Sequence, residues 1–202
     1  YVDGRISNPN QSSEHLSLKD LADLAYTPFQ ELPPSVEPGL SVHVSYNPPP
    51  AVSSSAVHMA LVEIDKNTYE VKIKDYVVAE DCGTKVNQAI VEGQVRGGVT
   101  QGIGIALLEE LSYDSEGQLL SGSLMDYLVP GIYETPVIKI VSMETPSPWS
   151  VGGFKGVGES GTIGAPATIT NAILDALEIS AQDIQLPLTP ERIFRLKNMT
   201  KS

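Results

Sequence analysis

The sequence predicts an α+β fold in which hairpin-rich mixed sheets pack against helices, and three features lead there. Residues 56–65 and 70–80 are rich in Val and Ile, alternate in part, and flank Lys66-Asn67-Thr68, which reads as a hairpin turn. Residues 87–110 and 165–177 carry apolar side chains at the three-and-four spacing of a helix face. Helices are interspersed with hairpin strands and no internal repeat appears, which favours α+β.

Taken in order, residues 2–6 read as a short hairpin, because Asp3-Gly4 supplies the positive φ of a tight turn. Ser17 then opens a helix as N-cap, with Asp20 as capping-box partner and Leu18, Leu21, Leu24 and Ala25 at helical spacing. Pro28, Pro33, Pro34, Pro38 and Pro48-Pro49-Pro50 break regular structure, except for an edge strand expected at residues 40–46. This divides the chain into an N-terminal helix and Pro-rich connector, 1–50, and a C-terminal domain, 51–202.

In the helix at 87–110, Gly93, Gly97, Gly98, Gly102 and Gly104 interrupt the apolar positions. Each costs up to about 1 kcal/mol relative to Ala, so their density implies another surface approaching the backbone. A turn at residues 114–117 and a β-branched strand at 137–144 follow, and Pro146 and Pro148 end regular structure. A glycine-rich loop at 152–161 precedes a helix expected from about residue 165 to 177, and Thr189-Pro190 starts a last helix with an N-cap and a proline in the first helical position.

Composition narrows the function. Thirteen Lys and Arg against 25 Asp and Glu give a net charge of −12, which repels phosphate backbones and anionic lipid surfaces. No window approaches the roughly 18 consecutive apolar residues of a membrane span. Cys82 is the only cysteine, so no intrachain disulfide forms, which fits a reducing, cytoplasmic compartment. A chain opening on Tyr1 and not Met is expected to be processed, trimmed or cut from something longer. His15, His43 and His58 are dispersed, without metal-ligand spacing, so no protein-ligated metal is expected, and His58 reads as a hydrogen-bonded core or edge histidine. Ser53-Ser54-Ser55 reads as a surface turn, with proximity to a cofactor phosphate as the alternative.

Gly152-Gly153-Phe154-Lys155-Gly156-Val157-Gly158-Glu159-Ser160-Gly161 sets one carboxylate among five glycines ahead of a helix. Three readings compete. Gly156, Gly158 and Gly161 spell a dinucleotide fingerprint, but residues 146–150 make a poor preceding strand. Glu159 could simply complement a helix dipole. Or it is a general base, work worth typically about 10² to 10⁴ in rate. Spacing alone does not choose.

The run Lys155-Gly-Val-Gly-Glu159-Ser-Gly-Thr-Ile-Gly-Ala-Pro166, with Asn171-Ala and Asp175-Ala-Leu177 after it, resembles the signature near the C-terminus of molybdenum hydroxylase large subunits. Asp81-Cys-Gly83, Asn87, Val91-Glu-Gly-Gln94-Val, Gly97-Gly98 and Gln101-Gly-Ile-Gly104 match that family's glycine-rich helix in order. Ser121-Gly-Ser-Leu-Met-Asp126-Tyr127 and Glu144-Thr-Pro-Ser-Pro148 fall between. The chain is thus similar to the C-terminal part of the molybdopterin-binding subunit in the xanthine dehydrogenase and aldehyde oxidase family, in its aerobic carbon monoxide dehydrogenase large-subunit group.

The resemblance implies the molybdopterin-binding fold of that family and a molybdenum ion held by a molybdopterin dinucleotide, in its cytosine form. It implies oxidation of an aldehyde, a heterocycle or carbon monoxide with water as oxygen source, and Glu159 as the base that deprotonates the attacking hydroxide. Burial and a nearby anionic centre would push such a carboxylate toward a useful pKa. Gln94 corresponds to a glutamine that hydrogen-bonds the pterin, and Lys155 and Gly158 belong to the same loop near the cofactor. The implied partners are the rest of the molybdenum subunit, an iron–sulfur subunit and a FAD subunit. Arg96 stands where the group often has histidine, and Gln88 where proline commonly follows asparagine. Cys82 is not in the copper-binding loop of carbon monoxide oxidisers and reads as a buried structural thiol. The alternative function is a cofactor-free binding or assembly module that retains the fold, and a chain lacking the upstream cofactor walls is expected to be inactive in isolation.

Overall fold

The computed structural model describes residues 3–8, 11–27, 32, 36–47, 52–180 and 184–199. It contains two compact units, residues 1–47 and residues 48–202. In the first, Asp3 and Gly4 take the positive φ values, 49° and 77°, that the turn reading requires. The hairpin itself lies further on: β1 (Arg5–Asn8) pairs antiparallel with β2 (Gln11–Ser17). Ser17 closes β2 and caps α1 (Leu18–Tyr26), its Oγ accepting the Asp20 N–H at 3.1 Å while Asp20 accepts the Ser17 N–H at 3.3 Å, the expected capping box. The edge strand expected at 40–46 is absent. Val42, Val44 and Tyr46 alternate like a strand, but no strand pairs with them and all three are exposed.

The second unit is built on the expected hairpin, β3 (Ser55–Ile64) against β4 (Val71–Asp81). Asp65 makes the turn, its Oδ1 accepting from the N–H groups of Asn67 and Thr68 at 2.8 Å each. β5 (Ile138–Met143) joins β4 in parallel, so the sheet order is β3-β4-β5. Alternation along β4 buries Tyr76, Val78 and Glu80 on one face. The opposite face carries Val57, Met59 and Leu61 of β3 and Val141 and Met143 of β5, all exposed.

α2 (Gln88–Leu107) starts at Asn87, whose side chain accepts the Ile90 N–H at 3.2 Å. α3 (Ser160–Leu177) packs against both α2 and β3. It begins five residues before the sequence placed it, because Gly161 and Gly164 look like loop residues and Pro166 like a helix start. Tertiary contact overrides that reading. A Cβ on Gly98 would stand 2.9 Å from Thr162 N and 3.0 Å from Gly161 Cα, and one on Gly102 would stand 3.2 Å from Pro166 Cδ. The helices therefore run side by side in the same direction, backbone against backbone, and Thr162 Oγ1 donates to the Gly98 carbonyl at 3.1 Å. Two of the helix glycines have the steric reason the sequence implied here, and Gly104 has another, against Glu109 and Pro130. Gly93 and Gly97 have none, since a Cβ there would meet nothing within 4 Å.

The core joins Tyr76 and Val78 of β4, Val95, Val99 and Ile103 of α2, and Ile169 and Ile173 of α3. α4 (Pro190–Met199) closes it with Ile193, after the Thr189 cap the sequence foresaw, with Arg192 paired to Glu110. Among the described residues no helix is long and apolar enough to cross a membrane.

Candidate functional site

The glycine loop is held by backbone on two sides. Lys155 N–H donates to the Cys82 carbonyl at 2.8 Å, Thr84 N–H to the Gly153 carbonyl at 3.1 Å, and Gly156 N–H to the Val52 carbonyl at 3.1 Å. Single bridges join Gly83 to Phe154 and Ser53 to Gly156. The loop is thus tied both to the end of β4 and to the segment leading into β3. Gly153 has φ 80°, and a Cβ there would come within 2.8 Å of both Pro146 Cβ and Thr84 Oγ1, so no other residue fits without moving the loop.

Asp81 is the anchor. Its Oδ1 accepts from Gly83 N–H at 2.9 Å, Thr145 N–H at 3.0 Å and Lys155 Nζ at 3.3 Å, with both side chains of the ion pair largely buried. Hydrogen bonds from Thr145, then from Gly83, with Lys155 adding to them, hold this carboxyl far below the usual carboxylate range. The Lys155 ammonium is therefore engaged within the protein, joining the loop to β4.

Glu159 occupies the N-cap position of α3 in helical backbone conformation, φ −89° and ψ −32°, and makes no side-chain capping bond. Its carbonyl accepts the Thr162 N–H at 2.8 Å while its carboxylate lies exposed at the helix N-terminus, where it complements the dipole without a capping hydrogen bond. A cleft of about 390 Å³ opens beside it, lined among others by Ser53, Ser54, His58, Gly158 and Ser160. Gly158 is exposed, and a Cβ there would meet nothing within 4 Å. Among the described residues the carboxylate is not enclosed in the dry pocket the sequence led one to expect: it stands exposed at the edge of this cleft.

Gln94 lies on the exposed side of α2, between the open positions Gly93 and Gly97. Its neighbour Val95 turns its carbonyl onto Gly161, so the α2–α3 contact sets Gln94 at the level of the α3 N-terminus. Arg96, the departure from the family pattern, pairs with Glu92 at 2.8 Å, and Gln88 bonds the same carboxylate at 2.7 Å.

Beneath the loop is a buried polar layer in which His58 and Cys82 stand as the sequence suggested, and Glu80 is the member it did not single out. Glu80 is fully buried, and neither carboxylate oxygen makes a hydrogen bond. Burial pushes its pKa up and the Asp81 charge adds to that, opposed by the Ser160 hydroxyl, Lys155 and Lys85. His58, two residues along β3 from the partner of Glu80, bonds Tyr76 Oη through Nδ1 at 2.9 Å and leaves its buried Nε2 unpartnered. Burial depresses this imidazole, with the Ser160 backbone opposing. Cys82 is buried, as expected, and burial pushes its thiol up. The signal for Glu80 was present in the sequence: strict alternation with Tyr76 and Val78 assigns it to the inner face. Ser53 and Ser54, read first as a surface turn, line the cleft.

The fold is an α+β domain with an exposed carboxylate on a glycine-rich loop, and its similarity to known proteins gives the family. Residues 1–136 match the model of the molybdopterin cofactor-binding domain. The nicotine 6-hydroxylase large subunit of Paenarthrobacter nicotinovorans is 40% identical over 96% of this chain and 24% of its own length. The carbon monoxide dehydrogenase large chain of Hydrogenophaga pseudoflava is 33% identical over 96% of this chain and 24% of its own. The crystal structure of quinoline 2-oxidoreductase from Pseudomonas putida 86 superposes with a TM-score of 0.81 at 41% identity, covering 97% of this chain and 25% of that one. The chain belongs to the molybdopterin cofactor-binding domain family of the molybdenum hydroxylases. It spans about a quarter of the length of the curated relatives it matches.

Proposed function

We propose that this chain is the C-terminal catalytic segment of a molybdenum hydroxylase subunit, with Glu159 as general base, and that its substrate is an electron-poor nitrogen heterocycle. The observation that carries the reading is the uncapped, exposed carboxylate of Glu159, displayed at the N-terminus of α3 with every side-chain hydrogen-bond site open.

The residues present fit a bound molybdopterin dinucleotide. Gly93, Gly97 and Gly158 leave surface on which a Cβ would meet no protein atom, and the Gln94 amide between them has both a donor and an acceptor to offer a heterocycle edge. When bound, that cofactor supplies the two-electron redox chemistry of the reaction. Glu159 accepts the proton of the attacking hydroxide oxygen, derived from water. Gly158 admits close approach to the loop backbone. Lys155, through Asp81, keeps the loop in register with β4 and acts as a positioning residue. The preference for a heterocycle rests on the names of the two relatives near 40% identity, a nicotine hydroxylase and a quinoline oxidoreductase. The pterin carries the cytosine nucleotide in this proposal, and electrons leave through iron–sulfur and FAD subunits in the cytoplasm. The exposed apolar face of the β3-β4-β5 sheet supports assembly with the remainder of the subunit.

The test is co-expression of the chain with the upstream part of its subunit and the partner subunits, followed by molybdenum analysis and heterocycle-dependent dye reduction. Glu159→Gln in a complex with full molybdenum content is expected to lower turnover by about 10² or more. Hydroxylation at the parent rate by that variant overturns the assignment of the base.

A further inference from the structure

The first turn of α3 rests on the ring of His58. A Cβ on Gly164 would stand 2.7 Å from Cδ2, 2.9 Å from Cγ and 2.9 Å from Nε2 of that imidazole, so any side chain there would have to displace the ring. Tyr76 fixes the ring from β4, with Oη 2.9 Å from Nδ1 and the two rings edge to face, centroids 5.9 Å apart and planes at 87°. Tyr76 is fully buried, and burial keeps its phenol protonated, with the pKa pushed up to about 12. The turn that sits on His58 also holds Glu159, whose carbonyl accepts the N–H groups of Thr162 at 2.8 Å and Ile163 at 3.1 Å. A line of contacts, Tyr76 to His58 to Gly164, thus runs from the sheet to the turn that carries Glu159, and His58 and Glu159 line one cleft.

A neutral imidazole carries one N–H and one lone pair, and the Tyr76 hydroxyl can satisfy Nδ1 whichever of the two it presents. Nε2 is buried without a partner, so a doubly protonated ring would bury an unpaired N–H and a charge beneath Gly164. We propose that His58 is a positioning residue for Glu159, supporting the first turn of α3 as a neutral ring and leaving that place for the cleft when it takes a second proton from solvent. The cleft is its route to water, since the ring already lines it. The titratable groups facing His58 are Tyr76 and Glu80 on the inner face of β4 and Glu159 in the cleft. β3 adds none on that face, which continues through Ala60, Val62 and Ile64, and α3 has no charged side chain before Asp175. Neither Glu80 oxygen is bonded to the ring. Burial depresses the imidazole, the Ser160 backbone opposing without overcoming it. Because the folded pKa lies below the ordinary histidine value of about 6.5, the support is complete above that value and is lost as pH falls through the folded one. Its importance for catalysis rests on Glu159 being the base.

The experiment is NMR on the full 202-residue chain, which needs no cofactor. The ring nitrogen and proton signals of His58 are followed with pH, together with the backbone amides of Glu159, Ser160, Ile163 and Gly164 and, as reference, those of Ile173 and Leu177 at the far end of α3. The expected result is a His58 step below about 6.5, with the four first-turn amides shifting in the same step and the reference amides still. His58→Phe keeps an aromatic ring beneath Gly164 that cannot ionise, so it abolishes the amide step and leaves the turn protected from exchange in acid. His58→Ala removes the support, and Ile163 and Gly164 lose exchange protection already at neutral pH. A His58 that titrates at or above the ordinary value, first-turn amides that follow the Glu80 or Glu159 carboxyl instead, or an amide step that survives in His58→Phe overturns the proposal. If His58→Phe does not fold, the wild-type titration and Glu159→Gln decide: the amide step has to follow the His58 ring and persist in Glu159→Gln. Failure of the Glu159 assignment is separate, because it appears as undiminished turnover of Glu159→Gln in the assembled enzyme and leaves the His58 step intact.

Discussion

Replacing Gly98 by Ala puts a methyl group where α2 and α3 touch backbone to backbone. The new Cβ would stand 2.9 Å from Thr162 N, 3.0 Å from Gly161 Cα and 3.1 Å from Gly161 C. None of these atoms belongs to a side chain that can rotate away, so the first turn of α3 must shift, and with it the hydrogen bond from Thr162 Oγ1 to the Gly98 carbonyl. Overpacking of this kind costs about 1 to 3 kcal/mol. Against it stands the gain from removing a helical glycine, up to about 1 kcal/mol. The net expectation is a loss of about 1 to 2 kcal/mol. Gly97→Ala, one residue earlier, is the control: its Cβ meets nothing within 4 Å, so only the favourable effect remains and the chain gains about 0.5 to 1 kcal/mol. Urea unfolding followed by circular dichroism reads both. With a slope of about 2 kcal/mol per molar, the midpoint falls by roughly 0.5 to 1 M for Gly98→Ala and rises for Gly97→Ala, with the slope unchanged. A Gly98→Ala chain as stable as the parent would refute the close contact, and a Gly97→Ala chain as damaged as Gly98→Ala would refute the distinction between the two faces of α2.

Two further outcomes follow from local geometry. Asp81→Asn removes the carboxylate that Thr145, Gly83 and Lys155 stabilise. Because the folded pKa lies below the unfolded one, the stabilisation is present above the ordinary aspartate value of about 3.9 and is lost as pH falls through the folded value. Melting temperature should therefore drop for Asp81→Asn at neutral pH, with the difference closing only in strong acid. A pH-independent difference would mean that packing, not charge, is what the substitution removes. Ser17→Ala deletes the cap of α1 and should cost that helix about 1 kcal/mol, read as faster amide exchange over its first turn; unchanged exchange would mean the capping box does not hold in solution.

What could be read from the sequence was what depends on neighbours in the chain. Ser17 with Asp20, the turn at Lys66-Asn67-Thr68 and Thr189 before Pro190 each satisfy backbone groups within a few residues, and each was legible, although the part Asp65 plays in that turn was not among the readings. The same locality misled at residues 40–46, where Val42, Val44 and Tyr46 alternate like a strand but no strand among the described residues pairs with them. It misled again at the start of α3, because the glycines that look like a loop are what lets α3 lie against α2. The candidate site divides along the same line. Glu159, Gln94, Gly158 and Lys155 were named through a family resemblance, since no local rule distinguishes a displayed carboxylate from a cap. The layer below them, Glu80 with His58 and Ser160, is joined only by folding, across β3, β4 and α3. That division has a physical consequence for the site. A displayed carboxylate standing on a turn of glycines is poorly held by its own segment. Its geometry has to come from groups distant in sequence, and the Asp81–Lys155 ion pair supplies it together with the backbone bonds of Thr84 to Gly153 and Gly156 to Val52.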